Sequence, residues 1–147
     1  MPSPGEVSVL LVEDEVIVAM DVERIAEAAG LRIAGHAIRG AEADALFEAL
    51  KPTLCLVDLH LLDGPVGLDC GRRFARAGAA VVFMTANQRA IPEDFGDALG
   101  VIAKPYTDAG LLAALLYLRA LLLGEAAAGL LPSALQLAAT ARAQRTA

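Results

Sequence analysis

The stretch Val7-Ser8-Val9-Leu10-Leu11-Val12-Glu13-Asp14-Glu15 decides how the rest of the chain is read. A short, almost continuous apolar run rich in β-branched residues reads as a buried strand. It breaks off in consecutive acids, and a helical pattern starts at once, with Val16, Met20, Ile25 and Ala28 at helix-like spacing and Gly30 as the stop. The same unit then repeats. Leu31 to Ile38 reads as a strand. Gly40 to Leu50 reads as a helix with Ala45, Leu46, Ala49 and Leu50 inward, stopped by Pro52. Thr53 to Val57 is a strand running straight into Asp58. A turn-rich loop, Leu61-Leu62-Asp63-Gly64-Pro65-Val66-Gly67, leads to a helix ending near Ala77, with Gly78 as its cap. Ala79 to Met84 is a strand ending at Thr85. The segment 87–99 has a weaker helical pattern broken by Pro92. Gly100 to Ala103 is a short strand ending at Lys104-Pro105, and a strongly apolar helix follows from Thr107 to Leu123.

Buried strands that alternate with helices predict an α/β fold, a parallel sheet with helices on both faces and right-handed crossovers. Ligands in such folds sit at the carboxyl ends of the strands. There this chain carries Glu13 and Asp14, then Asp58, Thr85 and Lys104. Singly, each has a plain explanation: an acid after a strand is often a helix cap, a threonine there is often structural, and a lysine before proline is often a solvated charge. Together they predict one pocket of three carboxylates, a hydroxyl and an ammonium. Carboxylates so clustered repel one another unless a cation joins them, and Mg2+ favours one or two carboxylates plus a phosphate. An aspartate carboxylate is a competent nucleophile for phosphoryl groups, and such transfer needs mainly positioning and charge neutralisation.

The 147 residues suffice for one domain with a full core. At 56% hydrophobic and 20% charged, the chain is not of disordered composition. The net charge of −6 and the lack of a basic stripe argue against nucleic acid as a partner; Arg72, Arg73 and Arg76 read as a solvated helix face. Cys55 and Cys70 form no Cys-x-x-Cys pair, which speaks against a zinc site and fits a reducing cytoplasm. The N-terminus does not read as a signal peptide, and Leu111 to Leu123, interrupted by Arg119, is too short to span a bilayer. The expectation is a cytoplasmic protein with no membrane partner. His36 has no evident partner and reads as structural; His60 reads as an exposed loop residue.

Glu13-Asp14, Asp58, Thr85 and Lys104-Pro105, in this order at strand ends, resemble the signature of two-component response-regulator receiver domains. Leu59-His60-Leu61-Leu62-Asp63-Gly64 with Gly67-Leu68 is also similar to the family's pattern, and the resemblance covers residues 7–120. It implies a flavodoxin-like, doubly wound, five-stranded parallel sheet of order 2-1-3-4-5. It further implies that Asp58 is the phosphoacceptor, with Asp14 and Asp58 as direct Mg2+ ligands, Glu13 acting mostly through water, and the main-chain carbonyl of His60 as a further ligand. Thr85 would bond the phosphoryl oxygen and move as a switch. Lys104 would pair with the phosphoryl group, held by Pro105 through a cis bond. The implied partner is a histidine kinase or phosphotransfer protein. The resemblance implies a signalling module that promotes its own phosphorylation and dephosphorylation rather than an enzyme acting on other substrates. It either signals through protein contacts or drains phosphate as a sink.

Two alternatives belong to other classes. One is a pseudo-receiver that binds partners without phosphorylation, against which the intact pocket speaks. The other is a Mg2+-dependent phosphatase, which would usually carry a second aspartate where His60 stands. The chain also departs from the family: Val101 occupies the position, three before the lysine, where an aromatic switch residue is common, so switching is expected to use Thr85 and its following loop alone. Phe83-Met84-Thr85-Ala86 is similar to a Phe-x-x-Thr-Gly subgroup of single-domain receivers linked with stress- and light-responsive kinases. The receiver is expected over 1–123 and a tail without a separate output domain over 124–147. Pro132 and Ser133 are expected to open a tail helix with Leu131, Leu135 and Ala139 on one face. The helix around Leu111–Leu118 is apolar nearly all round and needs a second cover, from the tail, a downstream partner or a second copy of the chain. Deleting 124–147 should therefore lower solubility or raise the oligomeric state.

Overall fold

A computed structural model of the protein describes residues 5–125 and 129–138. The strand–helix units appear as β1 (Ser8–Val12), α1 (Val16–Ala28), β2 (Arg32–Ala37), α2 (Gly40–Leu50), β3 (Leu54–Asp58), α3 (Gly67–Arg76), β4 (Ala80–Thr85), β5 (Gly100–Ala103) and α4 (Asp108–Leu122), followed by a further strand, β6 (Leu135–Leu137). The sheet order is β2-β1-β3-β4-β5-β6. The first five strands in this order pair in parallel, which is the expected doubly wound arrangement.

Alternate residues along each strand enter opposite layers. Val9, Leu11, Leu54, Leu56, Val82, Met84 and Ile102 pack with α1 and α4. Leu10, Val12, Cys55, Val57, Val81, Phe83 and Val101 pack with α2 and α3. Both faces are thus covered, which is why the strands read as continuous apolar runs rather than alternating ones.

Several expectations give way. The segment 87–99 is not an α-helix but two short 3-10 turns, Gln88–Ala90 and Phe95–Asp97. Pro92 offers no amide to a helix, and Phe95, Gly96 and Asp97 all take positive φ, which no right-handed helix accommodates. On α1 the buried residues are Ala19, Val22, Ile25 and Ala26, while Val16 and Met20 face solvent. On α2, Ala43 is buried with Leu46 and Phe47 partly so, whereas Ala45, Ala49 and Leu50, expected inward, are exposed. Both helices are rich in apolar residues around their circumference, so spacing alone did not set which stripe faces the sheet.

The tail departs most. Leu135–Leu137 is a strand, antiparallel to β5, with Val101 opposite Gln136; Ala139, expected on a helical face, lies outside the described residues. Without β6, the edge of β5 would leave backbone groups unpaired. Leu135 and Leu137 are buried and Gln136 is exposed, the period-two pattern of a strand rather than a helix. Leu131, Leu135 and Leu137 join the cluster that holds Leu111, Ala114, Leu115 and Leu118 on the side of α4 that meets the sheet, whereas Ala113 and Leu116 stay exposed, so the tail does not supply the second cover expected there. Of the arginine cluster, Arg73 pairs with Asp44 of α2 and Arg76 with Asp97; both pairs are solvent-exposed and contribute little to stability. No helix among the described residues is long and apolar enough to cross a membrane.

Candidate functional site

The parallel order brings the carboxyl ends of β1, β3, β4 and β5 side by side. Rungs Val12–Val57, Asp58–Met84 and Thr85–Ala103 stack the ends in register. Glu13 and Asp14 follow β1, Asp58 ends β3, Thr85 ends β4 and Lys104 follows β5.

Carboxylate oxygens of Glu13, Asp14 and Asp58 lie within 4.8 Å of one another. The Lys104 ammonium donates to Glu13 Oε1 at 2.9 Å and to Asp58 Oδ2 at 3.1 Å. Its main-chain amide donates to the Thr85 carbonyl at 2.9 Å, which ties the lysine to the end of β4, and the Lys104-Pro105 bond is cis. Thr85 is buried, and its hydroxyl oxygen accepts from the Asn87 amide at 2.9 Å, which leaves the hydroxyl proton free to donate elsewhere. The His60 amide donates to Asp58 Oδ1 at 3.2 Å, while the residue as a whole is exposed. Asp58 thus receives the lysine on one oxygen and the His60 backbone on the other.

Glu13 is only 4% exposed. Burial pushes its carboxyl up to about 7, against the pull of Lys104. Burial works against the charge on Lys104 as well, but its bonds to Glu13 and Asp58 outweigh that and hold its pKa above the usual lysine value. One ammonium facing three carboxyl groups leaves the pocket short of positive charge. A small divalent cation with oxygen preference would supply it, and the oxygen donors of Glu13, Asp14 and Asp58 fit Mg2+. Cys55 is a buried hydrophobe as expected, and burial pushes its thiol up to about 12.

Two residues gain importance that spacing did not reveal. His36 has a partner after all: its Nε2 donates to the Glu13 carbonyl at 2.7 Å. The signal lay in the strand order, since a parallel β2 beside β1 sets positions 36 and 37 against the acid loop. Asp63 caps α2 from another element, its carboxylate accepting from the Gly40 amide at 2.9 and 3.0 Å. That bond, chiefly, lowers its pKa. Here the clue was a deficit, because α2 starts after Arg39, whose side chain makes no cap bond. Gly67 packs against the site, since a Cβ there would run into the Asp58 carbonyl oxygen.

No protein-family model matches the chain. It is similar to the phyllosphere-induced regulator PhyR of Methylorubrum extorquens, 33% identical over 108 residues, 71% of this chain and 40% of that protein. It is also similar to the transcriptional regulatory protein PdtaR of Mycobacterium tuberculosis, 32% identical over 111 residues, 73% of this chain and 54% of that protein. The chain therefore spans about half the length of these relatives or less. Among solved structures, the receiver domain of the Erythrobacter litoralis PhyR response regulator superposes with a TM-score of 0.65 at 27% identity, covering 74% of this chain and 85% of that one. The sheet order, the acid pocket and these likenesses together place the chain in the response-regulator receiver-domain family.

Proposed function

We propose that the protein accepts a phosphoryl group on Asp58 from a phosphohistidine donor, a histidine kinase or phosphotransfer protein, in a Mg2+-dependent reaction. The observation that carries this reading is the Asp58 carboxylate, bonded by Lys104 and flanked by Glu13 and Asp14. A carboxylate oxygen of Asp58 attacks phosphorus, the phosphorus–nitrogen bond of the donor breaks, and the imidazole leaves with that electron pair. Lys104 and the Thr85 hydroxyl neutralise the phosphoryl oxygens and keep them in place. Bound Mg2+ would offset charge on the same oxygens, with Asp14, Asp58 and the His60 carbonyl as its direct ligands and Glu13 acting through water. The same pocket, once water enters, returns the domain to its resting state, so the protein is a self-limiting switch rather than an enzyme on external substrates.

A donor protein also needs a surface. Val16, Ile17 and Met20 are 58%, 83% and 63% exposed at the start of α1, next to the acid loop. Exposed apolar groups beside a charged pocket suit transient docking of a protein rather than of a small phosphate ester, which favours the receiver over the phosphatase reading. The receiver proper is taken as residues up to 123, with 124–147 as an appended tail whose strand completes the sheet.

The test is intact-mass spectrometry after incubation with acetyl phosphate, with and without Mg2+, on wild type and Asp58→Asn. One added phosphoryl group that requires both Mg2+ and Asp58 is expected. A protein that binds Mg2+ yet takes up no phosphoryl group would instead be a constitutive binding module.

A further inference from the structure

We infer that His36 is a positioning residue for the metal site, acting through the backbone of the acid loop; this rests on the receiver reading above. Glu13 is held to β2 from both of its main-chain groups. Its amide donates to the Ala37 carbonyl at 2.9 Å, and its carbonyl accepts from His36 Nε2 at 2.7 Å. The first bond continues the β1–β2 ladder by one residue. The second does not belong to the ladder at all: a side chain supplies a donor where the strand has ended.

The consequence follows from backbone geometry. The Glu13 carbonyl belongs to the peptide plane that leads into Asp14, and that plane is rigid. Fixing the Glu13 amide and carbonyl together fixes the plane that carries the Asp14 Cα, so that only rotation at Asp14 itself remains to aim its side chain. Glu13 itself folds back, one carboxylate oxygen accepting from the Glu15 amide at 3.3 Å. The acid loop is thereby aimed before any cation arrives, and mutually repelling carboxylates need such support most when the metal is absent. A carbonyl only accepts, so Nε2 carries the proton; the ring acts as a neutral or charged donor and is not itself a ligand. Its half-buried place on β2, opposite Leu11, leaves room for the ring to reach along the strand to the loop.

The test compares His36→Phe, which keeps a ring without a donor, with His36→Gln, whose amide nitrogen reaches as far as Nε2, and His36→Asn, which is too short. Mg2+ affinity is read by isothermal titration calorimetry. Amide hydrogen exchange of residues 13–15 is read by NMR in EDTA, with folding of each variant checked by circular dichroism. His36→Phe and His36→Asn should weaken Mg2+ binding about fivefold, the equilibrium factor of one neutral hydrogen bond, and should speed exchange in the metal-free loop. His36→Gln should restore both. The acetyl phosphate reaction of the Phe variant should need more Mg2+ for half-saturation yet reach the wild-type rate at saturation. Equal affinity and exchange in wild type and the Phe variant would overturn the role of His36 alone, as would a Gln variant as impaired as Phe. Wild type that binds no Mg2+ in a manner dependent on Asp14 and Asp58 would overturn the receiver reading and this inference with it.

Discussion

The substitution Glu13→Gln should make the metal-free protein more stable at neutral to alkaline pH and change it least in acid. Glu13 is almost wholly buried, and its carboxyl sits at about 7 rather than 4.5. Between these two values the folded protein holds a proton that the unfolded chain has released, so stability falls as pH rises through that window. The contribution is fully present below 4.5 and lost above about 7. A tenfold difference in proton affinity corresponds to about 1.4 kcal/mol, so the displacement from 4.5 to about 7 amounts to about 3 kcal/mol. The substituted amide does not titrate, and Lys104 stays protonated throughout, so the lost Lys104 contact enters as a constant. The stability difference between variant and wild type should therefore shift by about 3 kcal/mol in favour of the variant between about pH 4.5 and 8, roughly 10 °C in Tm for a domain of this size. Urea unfolding in EDTA across that range measures it directly. Adding Mg2+ should reverse the ranking at the upper end, because the cation stabilises the folded wild type by mass action and the variant lacks one carboxylate. A difference that stays constant with pH would refute the reasoning, since it would mean that the Lys104 ammonium, and not burial, governs the carboxyl.

The other predictions concern packing around the site. Gly67→Ala drives a methyl into the Asp58 carbonyl; because backbone meets backbone, a loss of about 3 kcal/mol, the upper end for overpacking, is expected in urea unfolding together with slower phosphorylation by acetyl phosphate. Wild-type behaviour in both assays would show that the β3–α3 loop gives way. Leu137→Ala should cost roughly 2–4 kcal/mol and Gln136→Ala less than about 0.5 kcal/mol, because Leu137 is fully buried and Gln136 is exposed; thermal melts in which the two variants behave alike would contradict the strand assignment of β6.

Much of this protein was legible before its fold was known. Continuous apolar runs ending at Glu13, Asp58, Thr85 and Lys104 read as strands buried on both faces, and such strands put their last residues along one edge. That is a local property: it depends on composition within each run and on the residue that breaks it. The fold class and the membership of the pocket followed from it. What only the tertiary structure decided depends on which distant segments meet. The phase of α1 and α2 is one case, because helices apolar on several sides take their inward stripe from the shape of the sheet below. The tail is another. Leu135-Gln136-Leu137 suits a short strand as well as a helix turn, and the open edge of β5 settles it by offering hydrogen bonds that a helix would leave unmade. The cap of α2 by Asp63 and the bond from His36 to Glu13 each join residues 23 apart. No periodicity encodes such contacts, since they exist only once parallel strands have been set in register.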